Sequence, residues 1–132
     1  MPLYLKVNPK IELAKDSSYK QKIWERIDST LNGIIRVDMS EYNAGLPTLG
    51  VNGGGTESLA LPFGGVVTAN FVHIQVTKEC TLVLNGGAET ITIKPFGAYP
   101  GIFTLHGEIT AVVVENQDTE NSCDVEYLVV GV

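Results

Sequence analysis

The chain has 132 residues, of which 44% are hydrophobic and 18% charged, and it carries a formal net charge of -6. That length makes room for one domain with one buried core, and the apolar content excludes intrinsic disorder. The acidic balance argues against a nucleic-acid binder that works by neutralising phosphates.

The amino terminus reads Met1-Pro2-Leu3-Tyr4-Leu5-Lys6, without the basic stretch and long apolar run of a secretory signal. Synthesis and folding in a cytoplasm is therefore the expectation. No window approaches the roughly 18 consecutive apolar residues of a membrane-spanning helix, so no membrane partner is expected. Leu3–Val7 reads as a strand that halts near Pro9, and Ile11–Leu13 fits a second short one. Residues 18–39 fit two structures. Tyr19, Ile23, Ile27 and Leu31 recur every four residues, Ser18 and Gln21 have capping-box spacing, and Asn32-Gly33 suits a carboxyl-terminal cap. Those signs favour a helix over about 18–31. Asn32-Gly33 is also a strong hairpin signal, with Ile35, Val37 and Met39 alternating behind it.

Tyr42–Gly65 holds seven glycines and two prolines with little periodicity. It reads as an extended loop, and it lacks the Gly-Lys-Ser/Thr ending of a phosphate-binding loop. A loop of that length in a compact domain is expected to order against another chain or subunit. Beyond it the pattern is clearer. Val72, Ile74 and Val76 alternate with His73, Gln75 and Thr77, and Cys80, Leu82 and Leu84 share one face of the next run. Asn85-Gly86-Gly87 turns that run into Glu89–Lys94, which Pro95 closes. Ile102–His106 and Ile109–Glu115 follow on either side of Gly107. Asn116–Ser122 is a polar, acidic connection, and Cys123–Val130 becomes apolar on both faces towards its end, as a strand covered on both sides does.

Six strand signals about ten residues apart predict an all-β fold, an antiparallel β-sandwich or jelly-roll-like barrel, with an amino-terminal arm and one short helix. The organisation read from these signals is a single domain, 1–132. It comprises a basic segment at 1–41, a Gly/Pro-rich loop at 42–65 and a β-rich core at 66–132.

Charge is segregated along the chain. Seven of the nine basic residues lie in residues 1–36 with four acids, a balance of +3, which leaves -9 on residues 37–132. A basic front and an acidic body attract each other between copies, or the lysines simply solvate one face. Catalytic patterns are missing: there is no Gly-x-Ser-x-Gly elbow, no His-Glu-x-x-His and no calcium loop. His73 and His106 sit at outward or ambiguous strand positions, and Asp118, Glu120 and Asp124 read as a solvated acidic loop. Cys80 and Cys123 read as two buried thiols, because a disulfide requires neighbouring strands and a metal site more ligands. No enzyme activity, cofactor or metal is expected. Trp24, Tyr42, Phe96 and Tyr99 could stack on sugar rings, Tyr99 from a loop near the surface.

The strands Ile109–Asn116 and Val125–Val132, with the glycine-rich middle, carry a resemblance to small β-rich structural proteins of tailed bacteriophages. Head decoration or cement proteins and tail components are the nearest in style. The resemblance covers about the last half of the chain and rests on no diagnostic motif. It implies a non-enzymatic virion component, made in the host cytoplasm, that oligomerises, most often as a trimer, and docks on major capsid or tail proteins. The charged fraction is below the roughly 25% usual for soluble domains, which agrees with surface buried against neighbours. The expected partner surfaces are Leu3, Tyr4 and Leu5 with Lys6 and Lys10 at the front, and an inter-subunit edge at Tyr127 and Val129. A carbohydrate- or receptor-binding β-sandwich module is the alternative reading.

Overall fold

The computed structural model describes residues 41–132 throughout, together with the backbone of residues 3–7, 10–15, 17–18, 22–27 and 33–37. Before residue 41 it describes the side chains of Ala14, Lys15, Ser17 and Ser18. Among the described residues there are strands and no helix. In chain order they are β1 (Leu3–Val7), β2 (Lys10–Ala14), β3 (Lys22–Ile27), β4 (Gly33–Val37), β5 (Glu41–Gly45), β6 (Thr48–Leu49) and β7 (Ser58–Ala60). They continue as β8 (Ala69–Val76), β9 (Cys80–Leu84), β10 (Ile91–Ile93), β11 (Gly101–Ile109), β12 (Val112–Asn116) and β13 (Cys123–Gly131).

Three antiparallel sheets result, ordered β3-β2-β1-β4, β10-β9-β12-β7 and β11-β8-β13-β5, with β6 pairing to the start of β13. The last two pack face to face as a β-sandwich, and neither closes into a barrel. Alternation explains how. Cys80 and Leu82 on β9 and Val112, Val114 and Asn116 on β12 are buried, while Thr81, Val83, Val113 and Glu115 between them are half-buried on the opposite face. Val72, Ile74 and Val76 on β8 and Val125, Tyr127 and Val129 on β13 meet them from the other sheet. Each such side chain contributes on the order of 1.5–3 kcal/mol by leaving water.

The sheet that contains β8 and β13 is apolar on its other face as well. Phe71, Leu128 and Val130 point away from this core and are equally buried, so the strand that reads as two-faced in the sequence is covered on both sides. The predicted hairpin of β9 and β10 is present, with Leu82 paired to Ile91. Its turn has Asn85 at φ 54° and Gly86 at φ 66°, with the Gly87 N–H donating to the Leu84 carbonyl. Two positive φ values in succession are what a primed turn demands, and Asn-Gly tolerates both.

Three expectations are corrected. The helix over about 18–31 is a strand, β3, where its central residues are described; it pairs with β2, Leu13 opposite Trp24. A spacing of four places residues on one face of a helix but also on one side of a strand, because four is a multiple of two. Strand pairing decided between them. The amino-terminal segment is not a plain arm, since β1 to β4 pair with one another. Finally, the glycine-rich loop contains β5, β6 and β7, which order against the chain's own β13 and β12. Gly45 shows why the pattern hid them: it lies opposite Tyr127, and a Cβ there would stand 2.9 Å from the tyrosine ring.

Candidate docking site

The strands bring four connections to one end of the sandwich, beside the adjoining ends of β12 and β13: residues 46–57, the turn 77–79, the loop 94–100 and the loop 117–122. Backbone bonds tie the first, second and fourth to one another and to β13. Asn52 N–H donates to Asp118 O at 2.7 Å, Gln117 N–H to Glu79 O at 2.9 Å, Thr77 N–H to Asp124 O at 3.1 Å and Val125 N–H to Pro47 O at 2.9 Å.

The centre of this network is Asn116, which is fully buried. Its Nδ2 donates to the carbonyls of Gly50 and Asn121, both at 2.9 Å, and its Oδ1 accepts from Asp118 N–H at 3.0 Å. Its carbonyl accepts from Asn52 Nδ2 at 2.8 Å. A buried amide with both ends satisfied costs little and fixes three segments at once. Asp118 then closes the next turn, accepting the N–H groups of Glu120 and Asn121 at 2.8 Å. Those N–H donors hold its carboxyl below its ordinary range. A depressed folded-state value stabilises the fold above the unfolded-state value and loses that contribution as pH falls through the folded one. Acidification below about pH 4 is therefore expected to lower the thermal midpoint, and D118N to flatten that acid limb. Melting curves from pH 7 to pH 2.5 check this; equal slopes for the two proteins would remove Asp118 from the account.

From this fixed platform one tip projects. Pro95 and Pro100 bracket Phe96-Gly97-Ala98-Tyr99. Phe96 N–H donates to Tyr99 O at 3.1 Å and Tyr99 N–H to Phe96 O at 3.0 Å. Gly97, at φ 60°, takes the first central position of the two-residue turn. Residues paired directly across a hairpin present their side chains on the same side. The rings of Phe96 and Tyr99 therefore stand together, 83% and 74% exposed. Beside them one hollow is lined by Thr77, Pro95, Tyr99 and Pro100, and a second by Leu46, Val76, Thr77, Pro100 and Asp124. They share Thr77 and Pro100, so the surface runs without interruption from Tyr99 to the exposed Leu46. Asp124 and Glu126 give its far side an acidic rim.

The arrangement suits binding by apolar contact. Among the described residues no group of three His, Cys, Asp or Glu side chains could hold a metal ion. Asp118, Glu120 and Asp124 do not converge: Asp118 caps its own loop, and Asp124 accepts from Thr48 Oγ1 at 2.9 Å. Of the two histidines expected at outward or ambiguous positions, His106 is exposed, whereas His73 is buried and shares a hydrogen bond of 2.8 Å with Thr104 Oγ1.

The surfaces expected from the sequence fare differently. Leu3, Tyr4, Leu5 and Lys6 lie on β1 and Lys10 on β2; β1 is flanked by β2 and β4, and these side chains lie outside the described residues. Tyr127 and Val129 require a correction. They sit on the central strand β13, between β8 and β5, and face the core, so they form no inter-subunit edge. Burial pushes the Tyr127 hydroxyl up, and it accepts from Asn43 Nδ2 at 3.2 Å. The Phe96–Tyr99 tip was visible in the sequence only as a loop with a surface tyrosine. Two prolines around a Gly-containing pair were the signal that it is a rigid hairpin.

Compared with known proteins, the chain matches no family model, no curated protein and no solved structure.

Proposed function

We propose that this chain is a non-enzymatic structural component of a tailed-phage virion, a decoration or tail protein that oligomerises and docks on the capsid or tail lattice. The observation that carries the docking half of this reading is the aromatic tip. Two large rings are held exposed by main-chain hydrogen bonds, so covering them requires little ordering, and each contributes roughly 1.5–3 kcal/mol on burial. Aromatic side chains are the usual anchors of interfaces, and the platform behind these is stiff. The virion class comes from the resemblance of the last two strands and the glycine-rich middle, and the low charged fraction agrees with surface shared among subunits.

The test joins mass in solution to binding. The protein is expected to elute as an oligomer, most simply a trimer, and to co-sediment with assembled phage heads or tails. The double variant F96A/Y99A is expected to keep the wild-type melting temperature within about 2 °C and to lose affinity for particles by about 100-fold. A monomer that binds no particle would refute the proposal. The exposed Phe96 and Tyr99 also suit a second reading, in which they stack on a sugar ring; tyrosine fluorescence quenched by glycans, and lost in Y99A, would favour it over the first.

A further inference from the structure

We propose that Cys80 and Cys123 form an oxidation-sensitive pair that closes to an intramolecular disulfide across the sandwich when the folded protein meets a hydroperoxide. Cys80 opens β9 in one sheet and Cys123 opens β13 in the other, 43 positions later. Their strands are not neighbours within a sheet, yet both thiols point into the core and their sulfurs lie 3.5 Å apart. That separation is a thiol–thiol contact, so a disulfide, at roughly 2.05 Å between sulfurs, needs only a short further approach of the two atoms. Both side chains are fully buried, but the cover is thin. Thr77 Oγ1 approaches Cys123 Sγ at 3.9 Å, and Thr77 also lines the two surface hollows. The exposed Thr77 therefore lies between Cys123 and those hollows, and entry of a molecule the size of hydrogen peroxide requires a local opening there.

The two thiols are not equivalent. The Sγ–Sγ contact with Cys123, and then burial, hold the Cys80 thiol up, while the same contact lowers Cys123, so the first proton leaves from Cys123. The Cys123 thiolate attacks one peroxide oxygen, the O–O bond breaks, and the departing hydroxide takes up a proton as water, leaving a sulfenic acid on Cys123. The Cys80 sulfur then attacks the Cys123 sulfur. The S–O bond breaks, and hydroxide leaves with the Cys80 proton as a second water. Two thiols lose two electrons in all, and one peroxide is reduced to two waters. The product ties β9 to β13 beside the turn 77–79, where the chain already crosses from one sheet to the other.

The full-length protein, purified reduced, is treated with dilute hydrogen peroxide and then unfolded in the presence of an alkylating reagent. The expected result is an intact mass reduced by two hydrogens, no alkylated cysteine, and a peptide map that joins the Cys80 and Cys123 segments under non-reducing conditions. The thermal midpoint is expected to rise by several degrees and to fall back on reduction with dithiothreitol. C80A is expected to stop the reaction at a trapped sulfenic acid on Cys123. Two alkylatable thiols remaining in treated wild type would overturn the proposal, whatever the variant does, and so would cross-linked dimers in place of the internal bond.

Discussion

Replacing Gly131 by alanine is expected to lower stability by at least about 3 kcal/mol, a large share of the roughly 5–15 kcal/mol that holds a typical domain folded. The residue lies near the end of β13, where the register against β8 shifts between Val130 and Gly131. A Cβ built there would run into the Thr68 carbonyl oxygen and stand 2.8 Å from the Ala69 Cα. These are backbone atoms, and they cannot step aside: Val132 N–H donates to Thr68 O, and Thr68 N–H to Val132 O, both at 3.0 Å. Relief requires breaking that pairing. Gly107→Ala is the matched control, because the nearest atom to a Cβ there is Leu105 Cγ at 3.9 Å. Urea unfolding of the two variants checks the contrast, with G131A shifted far towards low urea, or insoluble, and G107A close to wild type.

Asn116→Ala is expected to cost about 2–4 kcal/mol. Truncation strips the Gly50 and Asn121 carbonyls and the Asp118 N–H of their partner at a part-buried site, and each lost bond costs about 0.5–1.5 kcal/mol. The variant Asn116→Asp separates shape from hydrogen bonding. It keeps the acceptor for Asp118 N–H but turns a buried carboxylate towards two carbonyl oxygens. Its folded-state pKa is thereby raised above the unfolded value, so its stability is greatest in acid and falls as pH rises through the folded value. Wild type behaves in the opposite sense through Asp118. Chemical denaturation of N116A and N116D at neutral and acid pH measures both effects; an N116D protein as stable as wild type at neutral pH would show that the amide is not holding the two loops to β12.

What the sequence made legible followed the period of two. The six strands of residues 69–131 stand where Val72-x-Ile74-x-Val76, Thr90–Ile93 and their neighbours alternate, because one buried face writes that alternation directly. Where other forces govern the backbone, the pattern was silent or double-valued. Ile23 and Ile27 satisfy helix and strand spacing alike. Gly45 is demanded by the ring of Tyr127, a residue 82 positions away, so β5 looked like loop. The facing of Cys80 and Cys123 is a product of sheet packing, and no local pattern encodes it. The run Tyr127–Val130 carries apolarity on both faces, and that pattern marks a central strand covered on both sides, not the edge expected at Tyr127 and Val129.

The central place of β13 also sets an order of events in folding. The β8–β11 pair closes within residues 69–109, because only β9 and β10 of the facing sheet lie between the two strands in the chain. Among the described residues β5 and β6 pair only with β13, and they must wait some 80 residues of chain for it. Long-range pairing of this kind is slow, in the millisecond-to-second range, and it leaves strand edges open meanwhile. A chain still emerging from the ribosome would hold β5 and β6 unsatisfied until residues 123–131 arrive. The glycines and the sparse apolar residues of 41–57 then acquire a second use: they keep that waiting stretch from pairing with the wrong neighbour.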